Sequence, residues 1–210
     1  MPYAVELALF YSSLVAASAL YLFWVLYGPI KRFSYSHHTV KAYYRRVYQV
    51  ALDGDYYLIN DFENKTAEAE TFHIDHILIG NKYIYCIRDR YYDGAVHASA
   101  SNKAWVFYRK RKCSYIGNPL LKNRLRIERL SLMSDTDPRI FVNVVLINDD
   151  CYITPIEPVE GDIEEYVVSL RQFPKLIKMM ESRPDVDPLE PTQIGVAARD
   201  YAELNLNNKR

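Results

Sequence analysis

At 210 residues, half of them hydrophobic, the chain can bury one core of ordinary size and lacks the length for two full domains. Its 26 Lys and Arg balance 26 Asp and Glu, so net charge by itself points to no polyanionic partner. The charge is nevertheless uneven. Residues 103–129 hold nine Lys or Arg against the one acid Glu128, whereas residues 130–210 hold eight basic side chains against fifteen acidic ones. A local basic surface is expected rather than a basic protein.

Residues 7–27 form a run of 21 without a charge, long enough as a helix to span the roughly 30 Å of a bilayer core. Tyr3, Phe10 and Tyr11 at one end and Tyr21, Phe23, Trp24 and Tyr27 at the other suit the two headgroup layers. Gly28-Pro29 is expected to end this helix. A cleaved signal peptide, with Ala17-Ser-Ala19 as its small-residue site, is the rival reading. It is opposed by Glu6 and by the lack of any basic residue before the run. Lys31, Arg32, Lys41, Arg45 and Arg46 all follow the run, which places the C-terminal domain of a single-pass cell-membrane protein in the cytoplasm. Cys86, Cys113 and Cys151 are odd in number and lack metal-ligand spacing, as free thiols of that compartment would be.

Further along, residues 39–52 repeat apolar side chains at spacings of three and four (Val40, Tyr43, Tyr44, Val47, Val50, Ala51), which predicts an amphipathic helix ended by Asp53-Gly54. Strands are predicted over 56–62, 71–79, 83–89 and 104–110, with an acidic loop over 63–70 and a tight turn at Gly80-Asn81-Lys82. Asn118-Pro119 starts a helix predicted to run to about Met133, since Asn accepts from free N–H groups and Pro is harmless in the first turn. Residues 140–147 are a continuous β-branched run and predict a buried strand, with 152–154 pairing nearby. Residues 162–181 read as a last amphipathic helix kinked or broken at Pro174. The order is mixed α/β, one sheet flanked by helices. The domain boundaries are an anchor at 1–28, a folded domain at 29–183, and a flexible or weakly helical tail at 184–210, with 194–206 as the weak helix.

Together, Ile74-Asp75-His76, the glycine turn, Ile84-Tyr85 leading to an i, i+2 pair, Asp93-Gly94, Trp105, and Asn118-Pro119 followed by Asn123 resemble the nuclease-related domain (NERD) family over about residues 39–181. The resemblance implies a restriction-endonuclease-like core of the PD-(D/E)xK type, with a divalent metal held over a phosphodiester. It matches Asp75 to the metal-binding aspartate. Arg88 stands in the glutamate's place and Arg90 in the lysine's. Lys122 stands where the family has glutamine, and residues 42–46 lack both glycines and the acid of its Gly-x-x-Gly-Glu signature.

Mg²⁺ needs carboxylate oxygens, and replacing a partner acid with Arg removes the attraction that holds the cation. Strand alternation puts Arg88 and Arg90 on one face and Asp89 on the other, so an Asp75–Arg88 or Asp75–Arg90 ion pair is expected. The reading is a catalytically degenerate binding or scaffold module without a cofactor. One alternative is a Mg²⁺-dependent nuclease in which Asp75 works with Asp61, Glu63 or Asp89; another is a membrane-surface module for anionic lipid. His73 shares the Asp75 face and reads as a neutral, hydrogen-bonded histidine with no second acid completing a site, and His37-His38 reads as a solvated helix approach. Trp105 reads as core. Arg109, Lys110, Arg111 and Lys112, with the helical stripe Lys122, Arg126 and Arg129, form the candidate basic patch for nucleic acid or anionic lipid.

Overall fold

The computed structural model describes the backbone of residues 2–65, 70–156 and 161–209, and the chain divides into two units, residues 1–42 and 43–210. The first unit is the N-terminal part of helix α1 (Pro2–Gly54). Its stretch Leu9–Tyr27 has mean hydropathy 1.8 and exposes its side chains, and by length and composition it is able to cross a membrane, a test a signal sequence also passes. Ser12, Ser13 and Ser18 donate their hydroxyls to the carbonyls of Leu9, Phe10 and Leu14, each at 2.8 Å, which hides the polar atoms of the run. The stop expected at Gly28-Pro29 is not present, and α1 continues through it. A proline inside a helix deletes one hydrogen bond, and propagation on both sides outweighs that loss. The side chains of Lys31, Arg32, His37 and His38 lie outside the described residues.

The second unit contains two sheets where the sequence predicts one. The larger has the order β1-β2-β3-β7-β9, from β1 (Tyr57–Lys65), β2 (Thr71–Ile79), β3 (Ile84–Arg90), β7 (Phe141–Ile147) and β9 (Glu164–Ser169). Strands β1, β2 and β3 run antiparallel, and β3, β7 and β9 run parallel. Strand β7, Phe-Val-Asn-Val-Val-Leu-Ile, is buried throughout, as a central parallel strand covered on both faces must be. One face is covered by Tyr43, Val47, Val50 and Ala51 of α1 with Phe173, Leu176, Ile177 and Met180 of α3 (Phe173–Glu181). The other is covered by Ile127 and Leu130 of α2 (Pro119–Ser134) and Tyr201 of α4 (Pro191–Leu204). Each fully buried Val, Leu, Ile, Phe or Met among them contributes about 1.5–3 kcal/mol.

The smaller sheet has the order β6-β5-β4-β8, from β4 (Ala95–His97), β5 (Ala104–Arg109), β6 (Lys112–Gly117) and β8 (Tyr152–Ile153). Trp105 is buried there among Tyr92, Val96, Leu120, Val145 and Ile147, and its indole donates to the Ser99 carbonyl at 2.7 Å. Gly94 is fixed by a close approach, since a Cβ there would lie 2.2 Å from the Tyr108 carbonyl oxygen. Asn118 caps α2 by accepting from the Leu120 and Leu121 amides, while its own amide donates to the carbonyls of Ser99, Ala100 and Asn102.

Two expectations are corrected. Residues 162–181 are a strand, β9, followed by the short helix α3, because Glu-Glu-Tyr-Val-Val-Ser is aromatic and β-branched and Pro174 sits in the first turn of a helix rather than inside one. The weak helix expected over 194–206 is present as α4, but it packs on the core and is no flexible tail, being opened by a Glu190/Gln193 capping box and anchored by the buried Tyr201.

Candidate functional site

The Asp75 site is built by the β2–β3 hairpin. Gly80 allows its turn, because Glu181 fills the place of a Cβ and accepts from the Asn81 and Lys82 amides at 2.9 and 3.1 Å. The register pairs His76 with Ile87, so the next step toward the open end sets Asp75 opposite Arg88. Both carboxylate oxygens of Asp75 are engaged. Arg88 Nη1 donates to Oδ1 at 2.8 Å and the Asp89 amide donates to Oδ2 at 2.8 Å. Burial pushes the Asp75 pKa up, but the His73 hydrogen bond, the Arg88 guanidinium and the Asp89 amide outweigh it and hold the carboxyl below its ordinary value. Burial lowers the Arg88 pKa against Asp75, yet a guanidinium stays charged throughout the physiological range.

His73 lies between two acids: Nε2 is 3.5 Å from Asp61 and Nδ1 is 3.3 Å from Asp75, while Arg88 Nη1 is 3.1 Å from the same Nδ1. The histidine expected to stand without a second acid therefore has one, supplied by Asp61 on β1. Asp61 has φ 51°, a left-handed conformation in mid-strand that Asp tolerates better than most residues. The Asp75 hydrogen bond raises the His73 pKa above its ordinary value, with burial and Arg88 opposing and Asp61 assisting.

The opposite face of the same hairpin carries a separate polar group. His76 is fully buried, with Nδ1 2.6 Å from Asn60 Oδ1 and Nε2 3.0 Å from Asp89 Oδ2. Burial raises the Asp89 pKa, with His76 opposing. Tyr44 of α1 packs edge-on against His76, with ring centroids 4.6 Å apart, and its phenol is near enough to Asp61 to feel its charge. Burial, followed by Asp61, raises the phenol's pKa.

Helix α2 brings further cations to the Asp75 face. Asn123 donates to the Cys86 carbonyl at 2.9 Å and to Asn143 at 2.8 Å, Asn143 donates to Glu165, and Glu165 pairs with Arg124. With that side fixed, Arg126 and Arg129 lie toward β2, near Asp75 and Glu70, while Lys122 lies beside Gly117. Arg129 pairs with Glu70 at 3.1 Å. Burial pushes Arg126 down to about 10, and the charges of Arg88 and Arg90 add to the shift. Arg109, Lys110, Arg111 and Lys112 lie instead at the β5–β6 hairpin, where Arg109 pairs with Asp93 at 2.6 Å and Lys110 takes the turn with φ 54°. The length of β6 puts about 17 Å between Lys112 and Gly117, beside which Lys122 lies, so the hairpin tip and the helix stripe are two basic regions.

These donors do not fit a divalent cation. Asp75 presents no free oxygen, Arg88 occupies the approach, and Asp89 faces the other side of the sheet. Among the described residues no group of three or more His, Cys, Asp or Glu is placed to hold a metal. Sequence reasoning missed Tyr44 and the Asp61–His73 contact. The left-handed Asp61 leaves no local signal, and Tyr44 reads only as one apolar position among several.

A family model described as nuclease-related domain matches residues 39–148, just over half of the chain, and covers α1's C-terminal turns, the β2–β3 hairpin, the smaller sheet's hairpin, α2 and β7. No curated protein matches in sequence. A solved structure of a protein of unknown function, AF1548, aligns with 10% identity and a TM-score of 0.30 over 80% of this chain and 96% of its own, too distant to add to the description. With a mixed sheet flanked by helices and the motif residues at their places on β2, β3 and α2, the chain belongs to the nuclease-related domain family.

Proposed function

We propose that this is a membrane-anchored NERD protein whose nuclease centre is closed by an internal ion pair, so that it acts as a binding or scaffold module and not as a phosphodiesterase. One observation carries the reading: Arg88, at the motif position of an acid, donates to Asp75 at 2.8 Å while the Asp89 amide takes the other oxygen. Hydrolysis of a phosphodiester by this family's chemistry needs a cation to polarise the phosphate and activate water. A guanidinium there repels that cation and competes for its surviving ligand. The exposed Leu9–Tyr27 stretch, with its serine hydroxyls turned back on the helix, supports the anchor, and the basic residues that follow it support a cytoplasmic domain.

The test is incubation of the full chain, purified in a maltoside detergent, with DNA and RNA in the presence of Mg²⁺ or Mn²⁺. No cleavage is expected. Metal-dependent cleavage that disappears in Asp75→Ala would instead support a working centre, with Asp61 as the second acid.

A further inference from the structure

The face that carries Asp75 holds more guanidinium charge than its carboxylate can balance. Arg88 and Arg90 project to the same side of β3 by strand alternation, and α2 lies on that side with Ile127 buried against Ile77 and Cys86. Arg126, adjacent to Ile127, is close enough for its charge to be felt with those of Arg88, Arg90 and Asp75. Arg88 spends Nη1 on Asp75, and its Nε is buried with no protein acceptor in reach. Arg126 Nη1 is buried in the same condition. Arg90 donates to the Asp89 carbonyl at 2.8 Å, and among the described residues no carboxylate forms an ion pair with Arg90 or Arg126. The neighbouring cations differ, since Arg129 has Glu70 and Arg124 has Glu165. His73 and Asp61 complete the surroundings.

A buried charged donor without an acceptor costs more than an ordinary unmet hydrogen bond, and a guanidinium is shaped to donate to oxyanions. Arg88, Arg90 and Arg126 outnumber the carboxylates on this face, Asp75 and, beyond His73, Asp61, which calls for a ligand with high negative charge and several terminal oxygens. A phosphate monoester provides both, whereas a backbone phosphodiester provides one charge and two free oxygens. We propose that Arg88, Arg90 and Arg126 form a binding site for a terminal phosphate group, a phosphomonoester, at the place where the family motif puts a metal. This rests on the reading that Arg88 closes the metal centre.

The experiment is calorimetric titration of the full chain in maltoside with inorganic phosphate at low and high salt, with and without Mg²⁺. Saturable binding that is independent of Mg²⁺ is expected. Arg126→Gln and Arg90→Gln should each weaken it about tenfold, and Arg109→Gln should leave it unchanged. Circular dichroism shows that each variant is folded, and two separate variants guard against the loss of either one. Further arms compare vesicles bearing a phosphomonoester headgroup with vesicles bearing diester headgroups only, and a 5′-phosphorylated oligonucleotide with its 5′-hydroxyl form. Preference for either monoester supports the site and names the carrier. No binding at low salt by folded protein, equal loss in Arg109→Gln, Mg²⁺-dependent binding, or no monoester preference would overturn it. Cleavage of the oligonucleotide in the same samples would count against the closed-centre reading, whereas absent phosphate binding without cleavage counts against the phosphate site alone.

Discussion

Asp75 and Asp89 are joined by one hydrogen bond, from the Asp89 amide to Asp75 Oδ2 at 2.8 Å, yet their carboxylates face opposite sides of the sheet. Asp89 thus supports Asp75 through its backbone while its side chain serves His76. Recruiting Asp89 as a replacement acid would require β3 to slip by one residue, which would turn every buried side chain of the strand to the wrong face. The architecture therefore makes the Asp75–Arg88 pair the stable partner arrangement on this face.

That pair predicts a specific mutational pattern. Both side chains are about one-sixth exposed, 17% for Asp75 and 16% for Arg88. Asp75→Asn should destabilise the domain by about 3 kcal/mol, because it leaves Arg88 partly buried without its counter-charge. Asp75→Asn combined with Arg88→Met should recover most of the loss. Urea midpoints of the single and double variants measure it, and equal losses in both would show that the pair is not a unit.

Replacing Arg88 with Glu and Arg90 with Lys should raise Mn²⁺ affinity without giving appreciable cleavage, since Lys122 and residues 42–46 still lack the family's remaining polar positions. Metal titration alongside a cleavage assay reads both. Strong activity in the double variant would mean that these two positions alone hold the chemistry back.

Stability should fall on both sides of a mildly acidic optimum. The His73 pKa is raised in the folded state, so its contribution is present below its ordinary value near 6.5 and is lost as pH rises through the folded value. The Asp75 pKa is lowered, so its contribution is present above its ordinary value near 3.9 and is lost as pH falls through the folded value. Denaturant midpoints across this range should show both limbs, and His73→Gln should flatten the upper one and shrink the lower one, since the His73 hydrogen bond helps hold the Asp75 pKa down. An upper limb unchanged in His73→Gln would assign it to another group.

Asn118→Ala should cost about 1 kcal/mol for the lost helix cap and roughly 1–3 kcal/mol more for the carbonyls of Ser99, Ala100 and Asn102 that lose their donor. Asn118→Asp should keep the first contribution and lose the second, which thermal melts of the two variants separate. Similar melts for Ala and Asp would remove the cap from the account.

Membrane attachment is expected to reside in residues 7–27. The full chain should sediment with membranes, and a reporter fused after Arg210 should be active only in the cytoplasm. Recovery in the soluble fraction, or reporter activity on the far side, would favour a cleaved leader.

Much of the larger sheet was readable because its cues are local. Strand β2 alternates, the Gly80 turn is short, β7 is uniformly apolar, and Asn118-Pro119 writes its own helix start. Strand β9 was not readable. Glu164 and Glu165 gave it a polar beginning and Pro174 suggested a kink, which masked the short Tyr-Val-Val cue that pairing with β7 turns into a strand. Strands β4 and β6 escaped for a related reason, since three residues in one and an exposed polar run in the other carry little pattern. At the site, alternation left Arg88 and Arg90 as equal partners for Asp75, of which the structure pairs Arg88, and the approach of Asp61, Tyr44 and Arg126 depends on three elements distant in sequence.

Helix α4 sets a practical limit on how the domain can be handled. Its Tyr201 is buried beside Ile127, Leu130, Ile77 and Cys86, and Asn205 accepts from the Glu63 amide on the edge strand β1. A fragment cut at 183, or a fusion that pulls on the last twenty residues, would strip the cover from the very face that carries Asp75 and Arg126. A lack of activity or binding in such a fragment would report an opened core, and only chains retaining their C-terminal helix can be used to judge the chemistry of the site.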